Sequence, residues 1–259
     1  MFKDNRAFWL SILGTIVLMF VLFYIMSNYF TAVNLSDFGF GRQAIVTPTP
    51  TELIVNSDLD PTKDYRVIIK TNLGDFTIDL FEDSAPNTVK NFLYLTSNDF
   101  YNGLTFHRLI PNVLIQGGSP NTLNNNNEDD QFGGPGYTIN HEINWDSLNY
   151  ASDLRQELTV EGYSSTEGLV SKRIAKYRVA MAAAGPNKIG SQFFIVLGES
   201  TDPRVAYLEG RHTVFGEVVQ NSSLINDMSK IEIDNPLSTF SRPVQTIVIN
   251  EIELEIRDR

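Results

Sequence analysis

One stretch of the sequence decides the fold: FHRLIPNVLIQGG, from Phe106 to Gly118. Two apolar runs in it flank a Pro-Asn pair, which is typical of a tight turn. The stretch therefore predicts two short strands joined at a corner, and the two closing glycines allow a backbone conformation that other residues obstruct. Arg108 and Gln116 are the polar exceptions on these strands. By itself this pattern also fits an ordinary hairpin with an exposed arginine and a loop glutamine.

Two further stretches of the sequence argue against an ordinary hairpin. AAAGPNKIGSQFFI occupies residues 182–195, and YLEGRHTVFG occupies residues 207–216. The three stretches, in this order, resemble the cyclophilin family of peptidyl-prolyl isomerases, and the resemblance extends from about Tyr65 to Ile256. Each stretch alone is a weak signal, whereas their joint occurrence is a strong one.

β-rich segments dominate the chain from Tyr65 onward. Residues 75–81, for example, alternate apolar and polar side chains, as a half-buried strand does. About eight strands and two helices, near residues 84–95 and 222–230, show no βαβ alternation, which predicts a mainly β fold closed as an antiparallel barrel. The resemblance implies the same architecture over residues 64–259, an eight-stranded barrel capped by two helices.

The composition narrows the function classes. The chain has 259 residues and a formal net charge of −11, which argues against a nucleic-acid partner because such partners usually require a basic face. It has no cysteine, so disulfides, thiolate nucleophiles and cysteine zinc sites are excluded. The oxygen-rich run 121–130 lacks the spacing of a helix–loop–helix calcium site, His141-Glu142 lacks the second histidine of a zinc helix, and no G-x-S-x-G hydrolase motif occurs.

The N-terminal region predicts a membrane anchor. Residues 1–6 carry Lys3 and Arg6, and residues 7–30 contain no charged residue. As a helix, this uncharged segment would be roughly 36 Å long, enough to cross a hydrocarbon core of about 30 Å. A cleaved signal peptide is the alternative, but its apolar region is typically only about 7–15 residues long and precedes a small-residue cleavage site.

The flanking segments predict how the anchored chain is arranged. Basic residues on the short side favour a cytoplasmic N-terminus (1–6), a single-pass transmembrane anchor (7–30) and an extracytoplasmic remainder. Residues 31–63 include alternating Thr-Pro at 47–51, which favours extended polyproline II geometry. We interpret this segment as a linker that holds the domain at 64–259 clear of the membrane.

The chemistry of the implied reaction explains which residue types it requires. An X-Pro amide resists rotation with a barrier of about 18–20 kcal/mol because of its resonance. In the twisted state the prolyl nitrogen regains its lone pair, so a fixed donor aimed at that nitrogen stabilises this state selectively. Arginine suits the task because it is always charged and presents several rigid donors. No nucleophile, metal or cofactor is needed, and we expect none.

The resemblance assigns these roles to individual residues. Arg108 matches the catalytic arginine, and Gln116 and Gln192 match amides that hold the arginine and the substrate. The remaining matches lie around the substrate: His107 beside the groove, Leu114, Phe194, Leu208 and His212 at the proline pocket, and Ala182 and Ala183 at the edge that pairs with the peptide backbone.

Two positions depart from the family pattern. Val113 stands where the family usually has phenylalanine in the wall of the proline pocket, which predicts a looser grip on the ring. Tyr207 stands where many members have a tryptophan tied to cyclosporin binding, which predicts weak sensitivity to that drug.

An extra segment distinguishes this chain from the shorter family pattern at about residues 144–176. Val170, Ile174 and Tyr177 recur at helical spacing there, which predicts a surface helix with a solvated charged face. A substrate-selecting flap or docking element beside the groove is the alternative.

These observations together predict a monomeric, membrane-anchored peptidyl-prolyl isomerase that assists the folding of exported proteins. Its partners would be proline-containing polypeptides and, through residues 7–30, the membrane, with no nucleic acid. A proline-peptide binding module or chaperone with little turnover is the alternative, and Val113 is the feature that keeps it open.

Overall fold

The structure of the protein is a computed structural model, which describes residues 59–124 and 126–259. The strands are Lys63–Thr71 (β1), Gly74–Leu80 (β2), Arg108–Ile110 (β3), Leu114–Gly117 (β4), Arg178–Ala183 (β5), Ile189–Val196 (β6), Val214–Gln220 (β7) and Ile249–Asp258 (β8). The α-helices are Pro86–Ser97 (α1), Ser152–Val160 (α2), Pro203–Ala206 (α3) and Ser222–Met228 (α4), with short 3₁₀ turns at Pro120–Leu123 and Asp130–Phe132.

The strands form one eight-stranded sheet in the order β3-β4-β6-β5-β7-β2-β1-β8, and every neighbouring pair is antiparallel. The prediction of a mainly β, eight-stranded antiparallel fold is therefore confirmed. The prediction of a closed barrel is wrong, because no strand ladder joins the edge strands β3 and β8 within the described residues.

The gap between the two edge strands has a simple cause in the length of β3. This strand has only three residues, so the chain before it is irregular where it approaches the chain leading into β8. The two stretches meet in an isolated bridge between Thr105 and Val248, and the Phe106 amide donates to the Ile247 carbonyl at 2.9 Å. Irregular backbone contacts thus connect the edges in place of strand pairing.

The main core lies between α1 and the inner face of the sheet. Phe92 of α1 is fully buried, and its ring centroid lies 5.1 Å from that of Phe215 on β7 and 5.5 Å from that of Phe193 on β6. Full burial of one such side chain stabilises a fold by about 1.5–3 kcal/mol. These rings therefore fix α1 against β6 and β7, the strands that carry or border the candidate site.

The helices agree in part with the sequence-based expectations. α1 and α4 occupy the two predicted regions. The prediction of a helix from Val170, Ile174 and Tyr177 is wrong, because residues 163–177 are irregular. The helix of this region is α2, which lies earlier in the chain. The amide of Ile174 donates to the Glu209 carboxylate at 2.7 Å, so its hydrogen bond goes to another segment and not to a helical turn of its own.

The predicted cytoplasmic segment, the anchor and the linker up to residue 58 lie outside the described residues. Within the part of the chain that the structure describes, no helix is both long enough and apolar enough to cross a membrane.

Candidate active site

An open groove of about 800 Å³ runs along the strands β3 to β6 and the loop that follows α3. Most of the predicted site residues line it. They are Arg108, Val113, Leu114, Gln116, Ala182, Ala183, Phe194, Tyr207, Leu208 and His212. Antiparallel pairing of β3 with β4, β4 with β6 and β6 with β5 brings together residues that are far apart in the sequence.

A row of hydrogen-bonded polar side chains crosses one side of the groove. Arg108 on β3 lies directly opposite Gln116 on β4, and its Nη1 donates to Gln116 Oε1 at 2.8 Å. Gln116 Nε2 in turn donates to Gln192 Oε1 at 2.8 Å. Gln192 Nε2 donates to the carbonyl of Gly133 at 2.8 Å, so the row ends on backbone and every amide in it has a fixed orientation.

The guanidinium of Arg108 is held on two further sides. Its Nε donates to the Thr239 carbonyl at 3.0 Å, and its Cζ lies 5.5 Å from the centroid of the Phe240 ring. Among the described residues Nη2 has no hydrogen-bond partner, which leaves this donor for a ligand. Burial lowers the pKa of Arg108, but an arginine starts so high that the side chain remains cationic at neutral pH.

The opposite side of the groove is apolar. Val113, Leu114 and Phe194 belong to one buried cluster, against which Leu208 packs. Val113 is only 3% exposed, so the valine that replaces the usual phenylalanine is a true wall residue. An apolar wall facing a fixed cation suits a ligand with a hydrophobic ring beside a polar amide.

His212 closes the apolar side next to Phe194, with ring centroids 5.1 Å apart in an edge-to-face arrangement. Its Nδ1 lies 3.0 Å from the Met181 carbonyl, which can only accept, so Nδ1 carries the proton. Burial lowers the pKa of His212 to about 4. The imidazole is therefore neutral at physiological pH and adds no second positive charge to the groove.

Two predicted residues lie elsewhere. Gln192 lines a smaller adjoining cavity of about 240 Å³ and reaches the groove only through Gln116. His107 does not line the groove, because it is 2% exposed and lies in the interior. Its ring stacks on Phe240 at a centroid distance of 6.1 Å, so it supports the residue that faces Arg108.

Sequence reasoning missed the wall formed by residues 236–240. Pro236, Leu237 and Thr239 line the groove, while the Thr239 carbonyl and the Phe240 ring hold Arg108. The only signal in the sequence is an apolar Pro-Leu pair inside a polar stretch without strand or helix periodicity, and such a pair does not indicate a site.

Comparisons with known proteins show the family of the chain. The family described as "Cyclophilin type peptidyl-prolyl cis-trans isomerase/CLD" matches residues 66–254. The chain belongs to this cyclophilin family. Its matched region includes every predicted site residue and the whole of residues 144–176.

Relatives across the cyclophilin family carry the same activity in their names. The "Peptidyl-prolyl cis-trans isomerase ppi1" of Schizosaccharomyces pombe is 32% identical and aligns over 71% of this chain and 95% of its own length. The "Peptidyl-prolyl cis-trans isomerase-like 1" of Emericella nidulans is 32% identical over 71% of this chain and 90% of its own. This chain is accordingly a peptidyl-prolyl cis-trans isomerase of the cyclophilin type.

A solved structure of the cyclophilin family matches the fold. The cyclophilin-type isomerase of Cryptosporidium parvum, determined in the presence of the dipeptide Ala-Pro, superposes with a TM-score of 0.53 at 25% identity. The match covers 73% of this chain and 98% of the other.

Proposed function

We propose that Arg108 is the catalytic residue and that it accelerates X-Pro rotation by donating from Nη2 to the prolyl nitrogen as the amide twists. The observation that carries the proposal is the row Arg108–Gln116–Gln192, which fixes the guanidinium at the edge of an apolar groove. A planar amide nitrogen is a poor acceptor, whereas the twisted one has its lone pair restored. The donor therefore binds the transition state better than the ground state, which is the condition for catalysis.

The rest of the groove would hold the substrate. Val113, Leu114, Phe194 and Leu208 supply the apolar surface for the proline ring, and the neutral His212 closes it. Ala182 has no partner in the register of β5 with β6 or in that of β5 with β7, so its backbone is suited to pair with the peptide. The Cryptosporidium parvum relative, determined with Ala-Pro present, supports a proline-containing ligand.

The test is an isomerisation assay of the full chain with a chromogenic X-Pro peptide. Arg108→Ala should lower kcat/KM by roughly 10²–10³, the usual effect of removing one fixed donor from a developing charge. The kcat/KM of Arg108→Lys should lie between those of the parent chain and Arg108→Ala, because lysine keeps the charge and loses the planar fork. The control is Arg257→Ala, a change of the same kind on β8 outside the groove, which should leave activity unchanged.

The same assay, with peptide binding measured beside it, tests the alternative of a binding module with little turnover. That alternative predicts peptide binding by the parent chain without acceleration of rotation, and no further loss in Arg108→Ala. Val113 is the residue that favours it, since a valine leaves more room around the proline ring than a phenylalanine.

We also propose a cellular setting for the activity, on the pattern of the N-terminal sequence. The uncharged segment 7–30 would anchor the chain, the linker 31–63 would extend from the membrane, and a monomeric domain would assist the folding of exported proteins. Protease added to intact cells or spheroplasts should cleave the domain if it is extracytoplasmic. A chain that remains protected until the membrane is lysed would contradict this orientation.

A further inference from the structure

The loop that follows α3 forms one wall of the groove, and the extra segment at residues 144–176 holds it from behind. The segment has a hydrophobic cluster of its own, in which Trp145, Tyr150 and Leu158 are buried. It is therefore a folded element and not a loose flap, and it is suited to fix whatever it contacts.

Arg211 connects the two segments through its guanidinium. Its side chain is 5% exposed, and Glu161 binds it as a fork: Nε to Oε2 and Nη2 to Oε1, both at 2.8 Å. Glu157 of α2 accepts from Nη2 at 2.5 Å. Two carboxylates from the extra segment thus fix the guanidinium in place and in orientation.

Arg211 transmits this constraint to the groove through Tyr207. Its Nη1 donates to the Tyr207 carbonyl at 3.0 Å, and its Cζ lies 4.2 Å from the centroid of the Tyr207 ring. Tyr207 lines the groove and is 59% exposed. The attraction between the guanidinium and the face of the ring holds this exposed side chain in position.

The two residues before Arg211 are held by the same segment. Glu209 accepts from the Tyr150 hydroxyl at 2.7 Å and from the Ile174 amide at 2.7 Å. Gly210 has a φ of +78°, and a Cβ at this position would approach Leu158 Cδ1 to 2.5 Å. Three consecutive residues therefore rest on residues 144–176, immediately beside His212 of the groove.

We propose that Glu157 and Glu161 are positioning residues for substrate binding: through Arg211 they hold the Tyr207 ring as a preformed wall of the groove. The residues act on affinity for proline peptides and not on the rotation step, because none of them touches the polar row of Arg108. The inference rests on the proposed function of the groove, and the extra segment becomes a determinant of peptide affinity in this chain.

The test combines Glu157→Gln and Glu161→Gln, which keep size and remove both charges. The full chain is titrated with a proline peptide by calorimetry, and kcat and KM are measured in parallel. The double variant should raise Kd and KM by about threefold with kcat unchanged, a modest value for side chains in contact. Glu167→Gln, an identical change at an exposed position of the same segment, is the matched control and should change nothing.

A double-mutant cycle shows whether the effect passes through Tyr207. In a Tyr207→Ala background the two glutamine substitutions should no longer raise Kd, because the ring that they position is absent. An unchanged Kd in the wild-type background, or an equal rise in the Tyr207→Ala background, would overturn the proposal.

The stoichiometry of binding, Kd and kcat together distinguish positioning of Tyr207 from a purely structural role of the two glutamates, and both from a groove that lacks catalytic activity. Partial unfolding would lower the number of binding sites per chain and kcat while leaving Kd unchanged, and this outcome contradicts the proposal. A parent chain that binds peptide without turnover would contradict the proposed catalysis, whereas the comparison of Kd values would still decide the role of Glu157 and Glu161.

Discussion

We expect His107 to make the stability of the fold depend on pH in the acidic range. It is 2% exposed, and neither ring nitrogen has a hydrogen-bond partner within the described residues. Burial, with a smaller contribution from nearby Arg108 and Arg242, lowers the pKa of His107 to about 4, whereas in an unfolded chain the pKa is about 6.5. The unfolded state therefore binds a proton first as the pH falls.

The size of the effect follows from the two pKa values. The contribution of His107 to stability is complete above about pH 6.5 and is lost progressively as the pH falls towards about 4. With a folded pKa of about 4, proton linkage gives a loss of about 2.5 kcal/mol between pH 7.5 and pH 4.5. This is a large share of the roughly 5–15 kcal/mol that stabilises a typical domain.

The measurement is urea unfolding of the full chain at pH 7.5 and 4.5, followed by tryptophan fluorescence, in which the buried Trp145 reports on the folded domain. His107→Phe keeps an aromatic ring against Phe240 and removes the titration, so its loss on acidification should be smaller than that of the parent by about 2.5 kcal/mol. For each chain, the free energy of unfolding at pH 4.5 is compared with that of the same chain at pH 7.5. The effect of the substitution on packing is present at both pH values and therefore cancels. Equal losses in the two chains, within about 0.5 kcal/mol, would show that His107 does not cause the acid sensitivity.

Three further outcomes are expected. The carboxylate of Glu142 accepts hydrogen bonds from the backbone amides and side chains of Asn87 and Thr88 at 2.7–3.0 Å. Glu142→Ala should lower the free energy of unfolding in urea by about 3 kcal/mol, because buried donors at the start of α1 lose a charged acceptor. Isomerase activity should be constant between about pH 6 and 9, because the pKa of His212 is lowered to about 4, and a step near pH 6.5 in the pH–rate profile would contradict this. Tyr207→Trp should raise the affinity for cyclosporin by about tenfold in calorimetry, because the family resemblance implies that a tryptophan at this position contacts the drug; an unchanged affinity would contradict this.

Local patterns in the sequence were sufficient for most strands and for the residues of the groove. Alternation at residues 75–81 gave β2, and the Pro-Asn turn gave β3 and β4. Arg108 and Gln116 lie opposite each other because that turn sets the register. The short motifs that resemble the family contain most residues of the groove wall, so the resemblance predicts where the groove lies.

Other features depend on contacts that no local pattern records. Val170, Ile174 and Tyr177 have helical spacing, but the Ile174 amide donates to the distant Glu209 carboxylate, and this tertiary contact overrides the periodicity. The open edge of the sheet depends on the length of β3. His107 lies beside Arg108 in the sequence, yet the alternation along the chain turns its side chain to the interior behind the groove.

In the proposed mechanism, Arg108 stabilises the twisted amide and contributes little to holding the planar one. Exchange NMR of an X-Pro peptide with the full chain separates these effects, because it gives both Kd and the rate of cis–trans rotation on the enzyme. We expect Arg108→Ala to bind the peptide within about threefold of the parent and to slow rotation in the complex by roughly 10²–10³. Unchanged rotation in the bound peptide, or a loss of affinity that accounts for the whole fall in kcat/KM, would contradict this role of Arg108.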